Sequence, residues 1–192
     1  MTMRETTMWD VFQADVLRWG RLYIARRWRV FPCWTVDEEG HCTCPAGIEC
    51  DVKKIGKHPI GNLAPNGLKD ASCDPAKVEE WWGPGTPPRN IAIATGKVSG
   101  ITVIDIDDGE GKDGVQTWLR MIEGSGEPHT LMSHTGGGGT HLFFQYDPRM
   151  GKSRTNYFGP DYKHVDLRND GGYIIAPPSR HRTLGRYEWP NG

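Results

Sequence analysis

Two carboxylates, Asp105 and Asp107, stand two residues apart in a β-branched segment of the chain, residues 103–108. Because alternate residues of a strand face the same side, a strand here would project both carboxylates about 7 Å apart along the backbone. Two carboxylates on one face repel each other unless a cation lies between them, and hard oxygen ligands suit Mg²⁺ or Mn²⁺. The pattern indicates a divalent metal site. The alternative is a strand that runs into an acidic turn at Asp108-Gly109.

Four consecutive glycines, residues 136–139, precede His141 and the apolar residues 142–144. Glycines let backbone N–H groups approach a phosphate closely, and a histidine beside them can donate a hydrogen bond to a phosphate oxygen. The alternative is a flexible hairpin loop with a histidine that is satisfied inside the protein. On this pattern alone, both interpretations stay open.

A third carboxylate, Asp166, lies between Val165 and Leu167 in a short apolar run. An unpaired carboxylate in such surroundings would be costly, and either a metal ion or Arg168 would relieve that cost. The alternative is a simple ion pair between Asp166 and Arg168 at the end of a strand.

A separate cluster has the residue types of a zinc site, with four soft or borderline ligands within 17 residues. Four is the number that tetrahedral Zn²⁺ requires. The ligands are Cys42, Cys44, Cys50 and His58. Cys33 and His41 are alternative ligands, and a reduced surface loop with incidental thiols is the alternative to a metal site. Cys73 stands apart and is expected to be incidental.

Periodicity predicts the helices that would surround these residues. Apolar side chains from Trp9 to Tyr23 recur every three or four positions, which predicts an amphipathic helix over residues 8–27. Asp74-Pro75 is a helix start, an N-cap followed by proline at the first position, and it would place Val78, Trp81 and Trp82 on one face. Residues 114–123 predict a further helix, whereas residues 30–69 look like a loop.

Short β-branched runs predict the strands. Residues 91–95 and 101–106 are separated by a glycine-bounded turn and are expected to form a tight strand pair. The further strand candidates are residues 130–133, 140–145, 164–167 and 173–176. The fold class predicted is α+β, with the sheet concentrated between residues 90 and 180.

Composition restricts the kind of protein. With 192 residues the chain has room for one domain, and its formal net charge of -1 excludes binding of nucleic acid by a large positive field. Residues 1–30 carry charges throughout and contain no apolar run that could span a bilayer, and the five cysteines are not an even set. A reducing, cytoplasmic setting in a bacterial or archaeal cell is expected, where clustered cysteines suggest metal more than disulfides.

The motifs occur in a particular order: Asp-x-Asp, then a glycine-rich turn into Thr-His-Leu-Phe-Phe, then Val-Asp-Leu-Arg-x-Asp-Gly-Gly-Tyr-x-x-x-Pro-Pro-Ser. Together they resemble the archaeo-eukaryotic primase superfamily, and more narrowly the bifunctional primase–polymerase N-terminal domains of phage and plasmid replication proteins. The segments Gly-Lys-His-Pro at 56–59, Trp81-Trp82 and 90–96 are similar to that family's N-terminal half. Residues 179–189 resemble its terminal stretch.

The resemblance implies a role for each matching residue. Asp105 and Asp107 would be the first metal-binding pair, Asp166 the third carboxylate, and His141 a contact of the incoming triphosphate. The other nucleotide contacts that it implies are Lys57, Arg168, Ser179 and His181. The resemblance also favours zinc at the cysteine cluster; the alternative for His58 is to face the nucleotide.

The same resemblance implies one catalytic domain over residues 1–192. An N-terminal α/β unit would cover about residues 1–95, with a Cys-rich insertion at 33–58, and a catalytic unit built on a sheet like that of the RNA-recognition fold would cover residues 96–192. The abrupt end at residue 192 suggests a piece of a longer replication protein, in which a helicase domain is an expected partner.

The implied activity is template-directed nucleotidyl transfer by a DNA primase and polymerase that uses two Mg²⁺ or Mn²⁺ ions. One ion would activate a primer 3′-hydroxyl, and the other would neutralise the β,γ-phosphates and the leaving pyrophosphate. The expected partners are single-stranded DNA template, primer, and dNTP or NTP. Two alternatives remain: a metal-dependent nuclease or phosphodiesterase that activates water with the same carboxylates, and a noncatalytic nucleotide- or DNA-binding module that recruits a helicase.

Overall fold

The computed structural model of the protein describes residues 6–109 and 111–190. In this part of the chain the helices are α1 (Met8–Ala25), α2 (Pro75–Trp82) and α3 (Gly114–Met121). The strands are β1 (Val30–Cys33), β2 (Asn90–Ala94), β3 (Ile101–Ile106), β4 (Asp108–Gly109), β5 (Lys112–Asp113), β6 (Leu131–His134), β7 (Thr140–Gln145), β8 (Val165–Arg168) and β9 (Tyr173–Ile175). The predicted α+β class is confirmed.

Local sequence determines both ends of α1. The Thr7 side chain accepts from the backbone N–H of Asp10, and the Asp10 carboxylate accepts from the backbone N–H of Thr7, which closes a capping box. Phe12 and Val16 lie on its buried face. The helix ends two residues before the predicted position, at Ala25, and Arg27 then turns the chain with a φ of 61°.

The start of α2 follows the predicted signal. The Asp74 side chain accepts from the backbone N–H of Ala76, with proline in the first turn. Val78, Trp81 and Trp82 are all buried, as predicted for one face. They pack toward α1, where a Cβ at Gly20 would come within 3.3 Å of Val78. Glycine at this position therefore lets the two helices approach closely.

Two antiparallel sheets carry the rest of the fold. One has the strand order β1-β2-β9 and the other β6-β7-β3-β8, with β4 and β5 as a small separate ribbon. In the four-stranded sheet the first strand along the chain, β3, lies between the third and the fourth, and α3 connects it to the second. This arrangement fits the expected RNA-recognition-like sheet.

The predicted strand pair between residues 91–95 and 101–106 is wrong. β2 lies between β1 and β9, β3 lies between β7 and β8, and a single bridge, Gly96 to Ile101, joins the ends of β2 and β3. Every residue of both strands is buried. Each strand lies inside its sheet with a neighbour on both edges, and a local turn signal does not reveal which strands these neighbours are.

The prediction that residues 30–69 form a loop is wrong for β1, which pairs with β2. The strand contains Pro32, which has no N–H to donate, but β1 lies at the edge of its sheet, where proline is tolerated. Residues 1–5, 110, 191 and 192 of the predicted domain lie outside the described residues, and the division near residue 95 stays a prediction. No helix in the described ranges is long and apolar enough to cross a membrane.

Candidate functional site

The register of the four-stranded sheet places the candidate residues in one row. Asp105 in the central strand β3 is the Cα partner of His141 on β7 and of Asp166 on β8. His141 is in turn the partner of Ser133 on β6. Residues that are far apart in sequence thus project side by side from one face of the sheet.

Arg168 joins the two buried carboxylates of this row. Its Nη2 donates to Oδ2 of Asp105 at 2.8 Å and to Oδ2 of Asp166 at 2.9 Å, and its Nε donates to the same Asp105 oxygen at 3.0 Å. On the other side, Nε2 of His141 lies 3.4 Å from Oδ1 of Asp105. A positive group therefore lies between the carboxylates that were expected to hold metal.

These contacts move the pKa values of the two carboxyls in opposite directions. Burial alone would raise the pKa of Asp105, but the charges and hydrogen bonds of His141 and Arg168 lower it well below its usual range. Burial raises the pKa of Asp166, and the neighbouring Asp105 carboxylate adds to the shift. The Arg168 guanidinium itself has a raised pKa, because the carboxylates outweigh its own burial.

Asp107 lies one residue beyond β3, and its carboxylate is turned toward solvent. Its Oδ2 lies 2.9 Å from Nζ of Lys112, with both side chains partly exposed. Among the described residues, the three carboxylates are not one of the groups whose ligand oxygens come within 4.8 Å of one another. Binding of a shared cation would require Asp107 to leave Lys112, a side-chain rotation that its exposure permits.

The row forms the floor of a cavity of about 650 Å³. Five basic side chains and four carboxylates line this cavity, called here the catalytic pocket after the role that the sequence resemblance implies for its residues. The basic residues are Lys53, Lys57, Lys112, Arg168 and Arg182, and the acidic ones are Asp105, Asp107, Asp108 and Asp166. Burial lowers the pKa of Lys57, although Asp107 and Asp105 oppose that shift. The pocket suits a polyanion that binds together with metal cations. Its five basic side chains offset little more than the charge of its own four carboxylates, so they would not neutralise a polyanion alone.

The glycine turn is packed against backbone on both sides. A Cβ at Gly136 would collide with Gly185 and His181, and one at Gly139 would collide with the carbonyl of Ile106. Gly137 lines the catalytic pocket. The glycines are therefore needed for close approach of three chain segments, and one of them also forms part of the pocket wall.

His141 is almost fully buried between polar and aromatic neighbours. Its Nδ1 lies 3.5 Å from the Ser133 hydroxyl, and its ring stacks on Tyr187 with centroids 6.0 Å apart. Ser133, His141 and Asp105 thus lie in the order of a hydrolase triad. Ser133 has no exposed surface, so no substrate can reach its hydroxyl and it cannot act as a nucleophile.

Two expected nucleotide contacts lie on loops that the buried residue Asn90 holds together. Its Nδ2 donates to the carbonyls of Gly56 and Arg180, each at 2.8 Å. These residues precede Lys57 and His181, both of which line the catalytic pocket. Sequence reasoning did not single out Asn90; the signal that could have indicated it is an asparagine directly before a β-branched run, because a strand there would bury an amide that needs partners.

Ser179 does not reach the catalytic pocket, contrary to expectation. Its side chain is fully buried, and its hydroxyl accepts from the backbone N–H of Ile91 at 3.0 Å and lies 3.2 Å from the Ile91 carbonyl. Ser179 ties the turn after β9 to β2, which is a structural role. His181 does line the pocket, where burial and the nearby Lys57 and Arg182 lower its pKa to about 4.

The cysteine cluster converges as the spacing predicted. One ligand atom from each of Cys42, Cys44, Cys50 and His58 lies within 4.8 Å of the others. Nε2 of His58 is 3.4 Å from Sγ of Cys42 and 3.6 Å from Sγ of Cys50. Burial and the adjacent thiols raise the pKa of Cys50 to about 12. Three thiols and an imidazole so arranged match the donor set of tetrahedral zinc, and His58 faces the thiols and does not line the catalytic pocket.

The two alternative ligands lie elsewhere. The Cys33 thiol is fully buried and contacts the carbonyl of Lys57. His41 belongs to an exposed group with Asp37 and Glu39.

The family model described as bifunctional DNA primase/polymerase, N-terminal, matches residues 21–192 of the chain. The match confirms the resemblance identified from the ordered motifs, and it includes the row of Asp105, His141 and Asp166 as well as the cysteine cluster. No curated protein matches the chain.

Proposed function

Because the chain belongs to the bifunctional DNA primase/polymerase N-terminal family, we propose that the catalytic pocket adds nucleotides to a primer strand as a DNA template directs. The observation that carries this proposal is the row of His141, Asp105 and Asp166 across three adjacent strands. Such a row holds carboxylates and a histidine on one face of a sheet. Transfer of a nucleotide from a triphosphate needs metal-binding and phosphate-binding groups held in fixed positions of this kind.

The carboxylates fit the two Mg²⁺ or Mn²⁺ ions that this family implies. Asp105 and Asp166 already share a cationic group, the Arg168 guanidinium, and Asp107 needs only to release Lys112. When bound, the ions would activate a primer 3′-hydroxyl and offset charge on the departing pyrophosphate. Bound ions would also free Arg168 to pair with phosphate oxygens, which its planar fork suits.

The remaining pocket residues would hold the triphosphate. Lys57 supplies a charge at the pocket wall. His181, with its pKa of about 4, stays neutral near pH 7 and would donate a hydrogen bond without adding fixed charge. We assign His141 to the triphosphate as well, with Tyr187 stacked on its ring to hold the orientation.

We further propose that the cysteine cluster binds a structural Zn²⁺ ion. The segment between Cys50 and His58 contributes Val52, Lys53 and Lys57 to the wall of the catalytic pocket. Closing that segment with a metal would hold the two lysines in place, because a short loop tied at both ends has few other conformations.

A template-directed incorporation assay tests the function. It uses a primed DNA template, Mg²⁺ or Mn²⁺, and dNTPs or NTPs, with and without primer. We expect elongation by the parent and a loss of about 100-fold or more in Asp105→Asn, Asp107→Asn and Asp166→Asn. Asp161→Asn, which alters an exposed carboxylate outside the pocket, is the matched control and should elongate like the parent.

The two alternatives predict other results. Shortening of the labelled primer in place of elongation would support a nuclease. Unchanged activity in Asp105→Asn and Asp107→Asn would support a noncatalytic module. The wider setting, a phage or plasmid replication protein with a helicase, stays a prediction.

A further inference from the structure

A second cavity, of about 500 Å³, lies beside the C-terminal half of α1. Three partly exposed indoles form much of its wall, together with aliphatic side chains of β6. The residues that give it this character are Trp19, Trp28, Trp189, Leu131 and Met132. None of them lines the catalytic pocket, so this cavity, called here the tryptophan pocket, is a separate feature.

The indoles are held in place by their own contacts. Trp28 stacks on Phe143 with ring centroids 5.6 Å apart and planes within 9°. Trp19 lies 6.0 Å from Trp189, whose indole N–H donates to the Tyr23 hydroxyl at 3.1 Å. Tyr23 in turn donates to a backbone carbonyl in the buried core. Aromatic surfaces fixed in advance bind a planar ligand with little loss of conformational entropy.

The chain segment that carries Trp19 and Trp28 is positively charged, although the whole chain has a net charge of -1. Residues 18–29 contain five arginines and no acidic residue. Within the described residues this segment makes one ion pair, Arg21 with Glu79. Arg26 is the charged residue that lines the pocket, and it is exposed. The arrangement therefore favours an anionic ligand with a flat apolar part.

Side chains of one strand, β7, connect the walls of the two pockets. His141 and Phe143 lie on one face of β7, two residues or roughly 7 Å apart. Two residues of the C-terminal segment, also two positions apart, pack on this pair: Tyr187 stacks on His141, and Trp189 packs on Phe143 with ring centroids 5.2 Å apart. The indoles therefore lie only a few nucleotide lengths from the catalytic pocket.

We propose that the tryptophan pocket holds an unpaired base of single-stranded DNA, with Arg18 and Arg26 contacting the flanking phosphates. The site deepens the proposed function and rests on it, because it names the surface that holds the unpaired strand. Base–aromatic stacking is tolerant of sequence and is a main source of affinity in single-strand binding. A base stacked inside a duplex offers no free face, so duplex DNA would not fill the pocket.

Binding of a fluorescein-labelled oligothymidylate of about 20 nucleotides, followed by anisotropy, tests the proposal. Leu131, half exposed at the pocket, gives a matched pair of variants. Leu131→Glu should weaken binding about tenfold relative to Leu131→Gln. The two side chains differ in charge alone, and a carboxylate at the pocket would repel the phosphates and keep the base out, which removes a stacking contribution of comparable size. Both should retain the parental unfolding transition.

Arg26 gives an independent measurement. Arg26→Gln should lower the slope of log affinity against log salt by about 0.7, the value for one phosphate contact to a single strand. Lys69→Gln, an exposed lysine between β1 and α2, is the control and should leave affinity and slope unchanged. Equal affinities for the two Leu131 variants, with an unaltered slope in Arg26→Gln, would overturn the proposal. So would a change in molar mass by light scattering without any change in DNA affinity, since the pocket would then contact a second copy.

Failure of the proposed function would look different. If the parent extends no primer but Leu131→Glu still weakens oligothymidylate binding, the polymerase proposal fails and the tryptophan pocket stands. If the parent extends primers, Leu131→Glu binds like Leu131→Gln and Arg26→Gln leaves the salt slope unaltered, the pocket proposal alone fails.

Discussion

Asp105 and Asp166 face each other as Cα partners across β3 and β8, and a single nitrogen, Nη2 of Arg168, donates to an oxygen of each. Two carboxylates this close on a buried face would repel each other without that donor. The guanidinium thus occupies the place in which the proposed metal ions would offset the same charge. The stability of the metal-free protein and its response to metal should both depend on this contact.

Arg168→Gln should lower the free energy of unfolding by about 3 kcal/mol in the presence of EDTA, because two buried carboxylates lose their partner. Added Mn²⁺ should restore about 2.7 kcal/mol at a concentration 100 times its dissociation constant. Urea unfolding with and without metal measures both quantities. Arg149→Gln breaks the pair between the highly exposed Arg149 and Asp147 and serves as the control, with no measurable change in stability expected. A variant as stable as the parent in EDTA would contradict the role given to Arg168.

His181→Gln should make the stability of the protein less sensitive to acid. The pKa of His181 is about 4 in the folded state and about 6.5 when unfolded, so the unfolded chain binds its proton first. Its contribution is fully present above pH 6.5 and is lost as the pH falls from about 6.5 to about 4. Urea unfolding across that range should show a flatter profile for the variant. If the stability of parent and variant depended on pH in the same way, the lowered pKa of His181 would be contradicted.

Removal of metal from the cysteine cluster should loosen the loop that carries Lys53 and Lys57. We expect close to one equivalent of zinc in purified protein by elemental analysis, and a lower melting temperature after chelation. Cys50→Ser should lose the zinc and weaken nucleotide binding measured by titration. Cys73→Ser is the matched control, since Cys73 lies outside the cluster, and it should keep both. Less than about a tenth of an equivalent of zinc in the parent would disprove the metal site.

Asn90→Ala should lower both stability and nucleotide affinity. The side chain accepts from Thr35 and from the backbone of Arg180, and donates to Gly56 and to the Arg180 carbonyl. Loss of these buried partners should cost about 3 kcal/mol. The KM for nucleotide should rise more than kcat falls, because the loops that carry Lys57 and His181 lose the hydrogen bonds of Asn90 that join them. Asn62→Ala, at an exposed position, should change neither quantity. An unchanged KM would limit Asn90 to a structural role.

Local sequence determined much of the secondary structure. The bounds of β3 and β7 agree with residues 101–106 and 140–145, because each is an apolar run bounded by glycines or polar turns. The caps of α1 and α2 are likewise short-range hydrogen bonds between residues two or three apart. The convergence of the cysteine cluster also needed only a short loop. Features that depend on nearby residues were therefore predictable.

Tertiary structure alone decided which strands are neighbours and which side chains meet. The motifs identified Asp105, His141 and Asp166 as residue types suited to metal and phosphate, but their alignment in one row depends on register between strands up to 61 positions apart. The same non-local pairing separated β2 from β3 and turned Ser179 inward. It also brought Trp19, Trp28 and Trp189 together. Such contacts arise from burial across the whole core, which no local pattern encodes.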